Sequence, residues 1–232
     1  MTDRLAFVAG ASRGLGWACA REAARRGFHV IALARTVGGL EELDDAIKAE
    51  GGAATLTPLD LTDDPALERL GAAIAERWGK LDLWLHCAAF PPMLSPTPHA
   101  SAEDYDKAMA INARAPQRLI RSLDPLLRAA PAAQAVLMDD PRPSRAFFSS
   151  YAASKVAARE IWTSWALESK ATALRAMRAC PPPMPTALRA RFYPGEDRAA
   201  LTRPETVAAE LFDALEAKPE ANAEIDLRHL SA

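Results

Sequence analysis

Cysteine is scarce in this chain of 232 residues. The three present, Cys19, Cys87 and Cys180, are odd in number, lie far apart and include no C-x-x-C. No disulfide framework is expected, and a reducing, cytoplasmic setting is the default. The four histidines (His29, His86, His99, His229) share no metal-ligand spacing, so no metal site is predicted. Charge of one sign is not in excess: the formal net charge is -2, which argues against a nucleic-acid partner. No apolar run approaches bilayer length. The opening MTDRLAFVAG has neither the apolar core nor the cleavage pattern of a signal peptide. Neither a membrane association nor an exported precursor is expected, and the length suits one domain spanning residues 1–232.

What is present is an alternation of short apolar runs with longer amphipathic ones. Strands are predicted over 4–9, 28–34, 53–60, 81–89, 133–138, 172–180 and 223–227. Helices are predicted over 14–27, 39–50, 62–79, 149–169 and 204–217, and a long helical stretch over 101–130 is capped by Ser101. Pro116 and Pro125 should bend or interrupt that stretch. Such alternation predicts an α/β fold, a doubly wound parallel sheet of Rossmann type with helices on both faces. Three loops, 90–100, 139–144 and 180–186, are rich in proline and lie at strand ends, where ligands bind in this architecture.

The segment VAGASRGLGWA (8–18) joins the first strand to the first helix. Gly10, Gly14 and Gly16 have the spacing of a dinucleotide loop, in which glycine permits close backbone approach and the helix N-terminus attracts phosphate. Ser12, Arg13 and Leu15 complete the candidate cofactor loop. The second strand ends in LART, with no acidic residue for a ribose 2′-hydroxyl until Glu41. Arg35 and Arg13 would instead suit a 2′-phosphate, which predicts NADP over NAD unless both are merely solvated charges.

Further along stand LDL (59–61), LHCAA (85–89), IN (111–112), YAASK (151–155) and CPPPMPT (180–186). In this order and spacing, with AGASRGLG (9–16), the chain resembles the classical short-chain dehydrogenase/reductase family over nearly its whole length. The resemblance implies that Tyr151 is the general acid/base. It implies that Lys155 binds the nicotinamide ribose and lowers the Tyr151 pKa. Asn112 would interrupt helix hydrogen bonding and hold a relay water. Asp60 and Leu61 would border the adenine, Ala88 the ribose, and Pro181 and Thr186 the nicotinamide end. The chemistry agrees: residues i and i+4 share a helix face, and a free tyrosine with a pKa of about 10 needs a nearby cation to work near neutrality.

The sequence also departs from that family. The asparagines and glycine expected after the fourth strand are His86, Cys87 and Ala89, and a proline, Pro182, replaces a glycine after the sixth strand. His86 is expected to be a buried structural histidine. The family's substrate-binding serine is missing, and Asp140 or Asp139 takes its place. An ionised carboxylate about 4 Å from the phenolate would cost about 4 kcal/mol at an effective dielectric near 20, roughly 3 pKa units. Several readings stay open. Asp140 is protonated and donates to substrate; it points away and Ser144, Ser149 or Ser150 substitutes; it pairs with a cationic substrate; or the protein binds nucleotide and catalyses poorly. Arg142 and Arg145 are candidates to neutralise either aspartate.

The expected activity is NADP-preferring hydride transfer between nicotinamide and a small carbonyl or alcohol, with Asp140 a further candidate catalytic residue. A catalytically impaired nucleotide-binding protein is the alternative. The resemblance further implies a homodimer or homotetramer through the long helix and helix 149–169, where Trp162, Trp165 and Leu167 serve either a contact or the core. Phe192 and Tyr193 are either lid aromatics or packed loop residues.

Overall fold

The computed structural model describes residues 4–141 and 145–230, so Arg142 and Ser144 lie outside the described residues. Seven parallel strands form one sheet in the order β3-β2-β1-β4-β5-β6-β7. They are β1 (Leu5–Ala9), β2 (His29–Ala34), β3 (Ala54–Pro58), β4 (Leu83–His86), β5 (Gln134–Met138), β6 (Arg175–Cys180) and β7 (Glu224–Asp226). The helices are α1 (Gly14–Arg25), α2 (Val37–Ala49), α3 (Asp64–Trp78), α4 (Ala102–Ala108), α5 (Ala115–Ala129), α6 (Ser149–Glu168), α7 (Ala187–Phe192) and α8 (Pro204–Glu216). The doubly wound single-domain arrangement is therefore as predicted, and each predicted strand is present with its ends trimmed.

The period of two along each strand builds two cores. Ala6 and Val8 of β1, Val30 and Ala32 of β2, and Leu83 and Leu85 of β4 pack on one face against α1, α2 and α8. Phe7, Ile31, Leu33, Trp84 and Leu137 pack on the other against α3, α5 and α6. Both faces being covered is why these strands read as continuous apolar runs. The second core centres on Trp84, Trp162 and Trp165, with ring centroids 4.7 Å apart for Trp84–Trp162 and 5.2 Å for Trp162–Trp165. Trp162 and Trp165 thus belong to the core, while Leu167 is exposed.

The long stretch over 101–130 is broken as expected near Pro116. A π-helical segment, Met109–Arg114, separates α4 from α5, and the Ala115 N–H reaches back five residues to the Ala110 carbonyl. Pro116 has no N–H to offer the carbonyl four residues before it, that of Asn112. Pro125 does not interrupt; it lies within α5. The short helix α7 was not expected. Thr186 caps it, its hydroxyl accepting from the Arg189 N–H at 3.3 Å. Among the described residues, no helix is long and apolar enough to cross a membrane.

Because Trp162 is fully buried in the second core, Trp162→Ala should cost about 3–5 kcal/mol. Its indole N–H is buried with no hydrogen-bond partner, so Trp162→Phe, which removes that N–H and keeps most of the ring, should cost less than about 2 kcal/mol. Urea unfolding midpoints check both; equal losses for the two variants would contradict this packing.

Candidate active site

The carboxyl ends of β1, β2, β4, β5 and β6 open into one cleft of about 1100 Å³, at the upper end of the usual size of ligand pockets. It brings together Gly10, Ser12, Arg13, Gly14, Leu15, Gly16, Arg35, Asp60, Leu61, Ala88, Asp140, Tyr151, Lys155, Pro181 and Thr186. Of the predicted site residues only Asn112 stands off the cleft wall. Ala89 and Pro182 also line the cleft and do not close it.

The glycine loop is tight for steric reasons. Gly10 has φ +87, and a Cβ there would stand 2.7 Å from the Ala88 nitrogen. A Cβ on Gly16 would stand 2.1 Å from the Gly10 carbonyl oxygen. Gly10 and Ala11 N–H groups both donate to the Leu33 carbonyl, at 2.8 and 3.0 Å, tying the loop to the end of β2. The N-cap of α1 is Arg13, which makes no side-chain capping bond. This is the cradle and the uncapped helix end that a pyrophosphate requires. At the far end Arg35 lies 3.7 Å from Asp60, both partly exposed. Burial works against ionisation of Asp60, yet the Thr62 N–H and hydroxyl and the Arg35 guanidinium hold its carboxyl below the usual range. Arg13 and Arg35 both line the cleft, and guanidinium groups of this kind suit a 2′-phosphate.

At the other end, α6 carries Tyr151 and Lys155 one turn apart, both buried. The Lys155 ammonium donates to the Met138 carbonyl at 2.6 Å. Burial pulls its pKa down from 10.5, against the Asp139 and Asp140 carboxylates, which favour its charge. Asn112 backs this end from the π segment. Its side-chain oxygen accepts from the Phe90 N–H at 2.6 Å, and its amide donates to the Phe90 carbonyl and the Ser154 hydroxyl. His86 is buried, as expected, edge-on to Trp84. Burial first, and the Lys155 charge second, push its pKa down to about 3, so it is neutral at any ordinary pH.

The two aspartates divide their tasks. Asp139 continues β5, its N–H donating to the Ala179 carbonyl, and turns its buried carboxylate to Arg159 at 2.6 Å with Arg178 at 3.6 Å. Burial raises its pKa, but the Arg159 hydrogen bond and the Lys155 charge outweigh that and hold it low. Asp140 turns the opposite way: the Tyr151 hydroxyl donates to its carboxylate at 3.3 Å. Asp140 therefore faces the tyrosine, while Ser149 and Ser150 are absent from the cleft wall. Asp139 finds its arginines elsewhere, while Arg145 donates to the Tyr193 hydroxyl at 2.7 Å and lines the cleft with Asp140. The sequence reading missed Arg159, although it follows Lys155 by four residues on the same helix face. It also left Phe192 open. That ring packs on Tyr151 at 4.9 Å and on Phe148 at 5.1 Å, closing one side of the tyrosine.

Asp139→Asn leaves Arg159 and Arg178 without their shared counterion and should cost about 3 kcal/mol at neutral pH, the low end for a broken buried pair because both arginines keep some solvent. The folded carboxyl is held below 3.8, so this contribution is complete above that value and fades as pH falls through the lower folded one. Urea unfolding of wild type and variant at neutral pH and at about pH 3 should show the gap narrowing in acid; a gap that stays constant would contradict the assignment.

A family model for the short chain dehydrogenases matches residues 4–197. Among curated relatives, the short-chain dehydrogenase/reductase FrzI of Cladobotryum sp is 31% identical over 171 residues, 72% of this chain and 65% of its own. A fatty acyl-CoA reductase of Acinetobacter baylyi is 33% identical over 125 residues, 53% of this chain and 42% of that protein. The chain thus spans less than two thirds of the length of these relatives. Solved structures match more fully. A short chain dehydrogenase of Shigella flexneri complexed with NADP superposes with a TM-score of 0.90 at 28% identity, covering 98% of both chains. One of Escherichia coli complexed with NADPH gives 0.89 at 28% identity and the same coverage. With the cleft, the glycine loop and the Tyr151–Lys155 turn in their expected places, the chain belongs to the short chain dehydrogenase family.

Proposed function

We propose that the protein is an NADP(H)-dependent oxidoreductase acting on a carbonyl/alcohol pair, with Tyr151 as general acid/base. The observation that carries this is the placement of Tyr151 and Lys155 at one end of a cleft whose other end holds the glycine loop, Arg13 and Arg35. The nicotinamide, when bound, supplies or accepts the hydride. The chain's own residues do the rest. Gly10, Gly14 and Gly16 admit the pyrophosphate to the α1 N-terminus, with Ser12 and Leu15 at its edge. Leu61 and Asp60 border the adenine, Ala88 the adjoining ribose, and Pro181 and Thr186 the nicotinamide. Lys155 holds the second ribose and stabilises the Tyr151 phenolate. Asn112 braces Ser154 and the Phe90 backbone behind them. The NADP and NADPH complexes of the Shigella and Escherichia proteins support the choice of cofactor.

Two guanidinium groups at the adenosine end should set the nucleotide preference. Arg35→Ser should weaken NADPH binding by about tenfold while leaving NADH binding nearly unchanged. Titration of both nucleotides checks this, and an equal loss for the two would remove the 2′-phosphate assignment.

One observation favours a second reading, a nucleotide-binding protein of impaired turnover with a regulatory or structural role. The Asp140 carboxylate accepts from the Tyr151 hydroxyl, where a substrate oxygen would need to sit. NADPH depletion over a panel of carbonyls separates the two. Under the leading reading wild type turns over and Tyr151→Phe does not; wild type and Tyr151→Phe behaving alike would leave the second reading. Asp140→Ser should also raise turnover and move the Tyr151-dependent limb of the pH–rate profile to lower pH by up to about 3 units, the cost set by an adjacent carboxylate.

A further inference from the structure

Two of the three cysteines lie together beneath the glycine loop. Cys19 is on α1 and fully buried; Cys87 follows β4, is partly exposed and lines the cleft. A Cβ on Gly16 would come 3.2 Å from the Cys87 Cβ. Cys19 lies three residues further along the same helix, hence on the same face, with a Cβ spacing of about 5–6 Å from Gly16. Cys87 packs against the buried cluster that contains Cys19. Cys87 is the side-chain hydrogen-bond partner that acts most strongly on Cys19, so the two thiols are neighbours, and a disulfide between them needs their Cβ atoms about 3.5–4.5 Å apart.

The two thiols have unequal settings. The neighbouring Cys87 thiol, and then burial, hold the Cys19 pKa well above its ordinary value; Cys19 is shielded and can react only with its neighbour. Cys87 alone of the pair is open to a small reagent, and only through the cleft. Cys180 is a separate buried thiol, pushed up to about 12 by burial, and serves as an internal control.

We propose that Cys87 and Cys19 form a peroxide-reactive thiol pair in the floor of the cleft, and that their disulfide shuts the cleft to nucleotide. The second half rests on the cofactor reading given above. The Cys87 thiolate attacks one oxygen of hydrogen peroxide, the O–O bond breaks, and the departing hydroxide takes up a proton as water. Cys87 is left as a sulfenic acid. The Cys19 sulfur, giving up its proton, attacks the Cys87 sulfur; the S–S bond forms, the S–O bond breaks and a second water leaves. Two thiols lose two electrons, and one peroxide becomes two waters.

The loop has no slack to absorb this. Gly10 lies against the Ala88 backbone and Gly16 against the Gly10 carbonyl, at distances that exclude a Cβ. Drawing Cys87 toward α1 therefore shifts Ala88 and the loop that would hold the pyrophosphate. Nucleotide already in the cleft covers Cys87 and protects it.

The test is mass spectrometry and peptide mapping of the full chain, reduced and then treated with hydrogen peroxide. The expected result is loss of two hydrogens, a Cys19–Cys87 linked peptide and an unmodified Cys180. Cys19→Ser, and Cys19→Ala in case a hydroxyl disturbs the core, should stop at a Cys87 sulfenic acid that dimedone traps; Cys87→Ser should leave Cys19 unreacted. Absence of the linked peptide overturns the pair. NADPH should slow the oxidation, and the oxidised protein should bind NADPH about tenfold more weakly or worse, with recovery on reduction. A disulfide that forms without changing NADPH affinity overturns the closure. Reduced protein that fails to bind NADPH overturns the cofactor reading, and the peptide map then still decides the thiol pair.

Discussion

The buried ion pair between Asp139 and Arg159 organises the reactive end of the molecule. It joins the first residue beyond β5 to α6, which carries Tyr151 and Lys155. The Lys155 bond to the Met138 carbonyl is a second tie between the same two elements. Once Asp139 is turned inward to its arginines, alternation along the chain turns Asp140 outward, into the cleft and onto the Tyr151 hydroxyl. The altered chemistry of the site is therefore a consequence of how the strand is anchored. A buried pair of this kind adds little net stability compared with an apolar contact, but removing one partner is costly.

The other end obeys a different constraint, close approach. Gly10, Gly16 and Ala88 pack so closely that the loop has one shape. That shape leaves the α1 N-terminus uncapped in a cleft that Arg13 and Arg35 also line. The two constraints act on opposite ends of one sheet edge, and the cleft between them is where strand order reverses between β1 and β4, the place where this architecture binds ligands.

Much of this was legible in the sequence. Strands buried on both faces read as apolar runs, and Gly10–Gly16 and Tyr151–Lys155 carry their geometry in local spacing. Pro116 announced the break before α5 because a proline's missing N–H acts on a fixed neighbour. Pro125 falls within α5 without ending it. The partners of Asp139 were hidden because Arg159 and Arg178 come from a helix and a strand that the chain brings back later. Cys19 and Cys87 looked unrelated because their proximity depends on α1 packing across the end of β4. The packing of Phe192 on Tyr151 required α7, a helix too short to show a periodicity.

The proposed chemistry turns on Asp140 standing at Tyr151 within an NADP(H) cleft. A crystal structure of the NADPH complex tests it most directly. The pyrophosphate is expected on the Gly10–Gly16 loop, the 2′-phosphate between Arg13 and Arg35, and the Asp140 carboxylate still within hydrogen-bond distance of the Tyr151 hydroxyl. A nucleotide seated outside this cleft, or Asp140 withdrawn with a serine hydroxyl in its place, would contradict it.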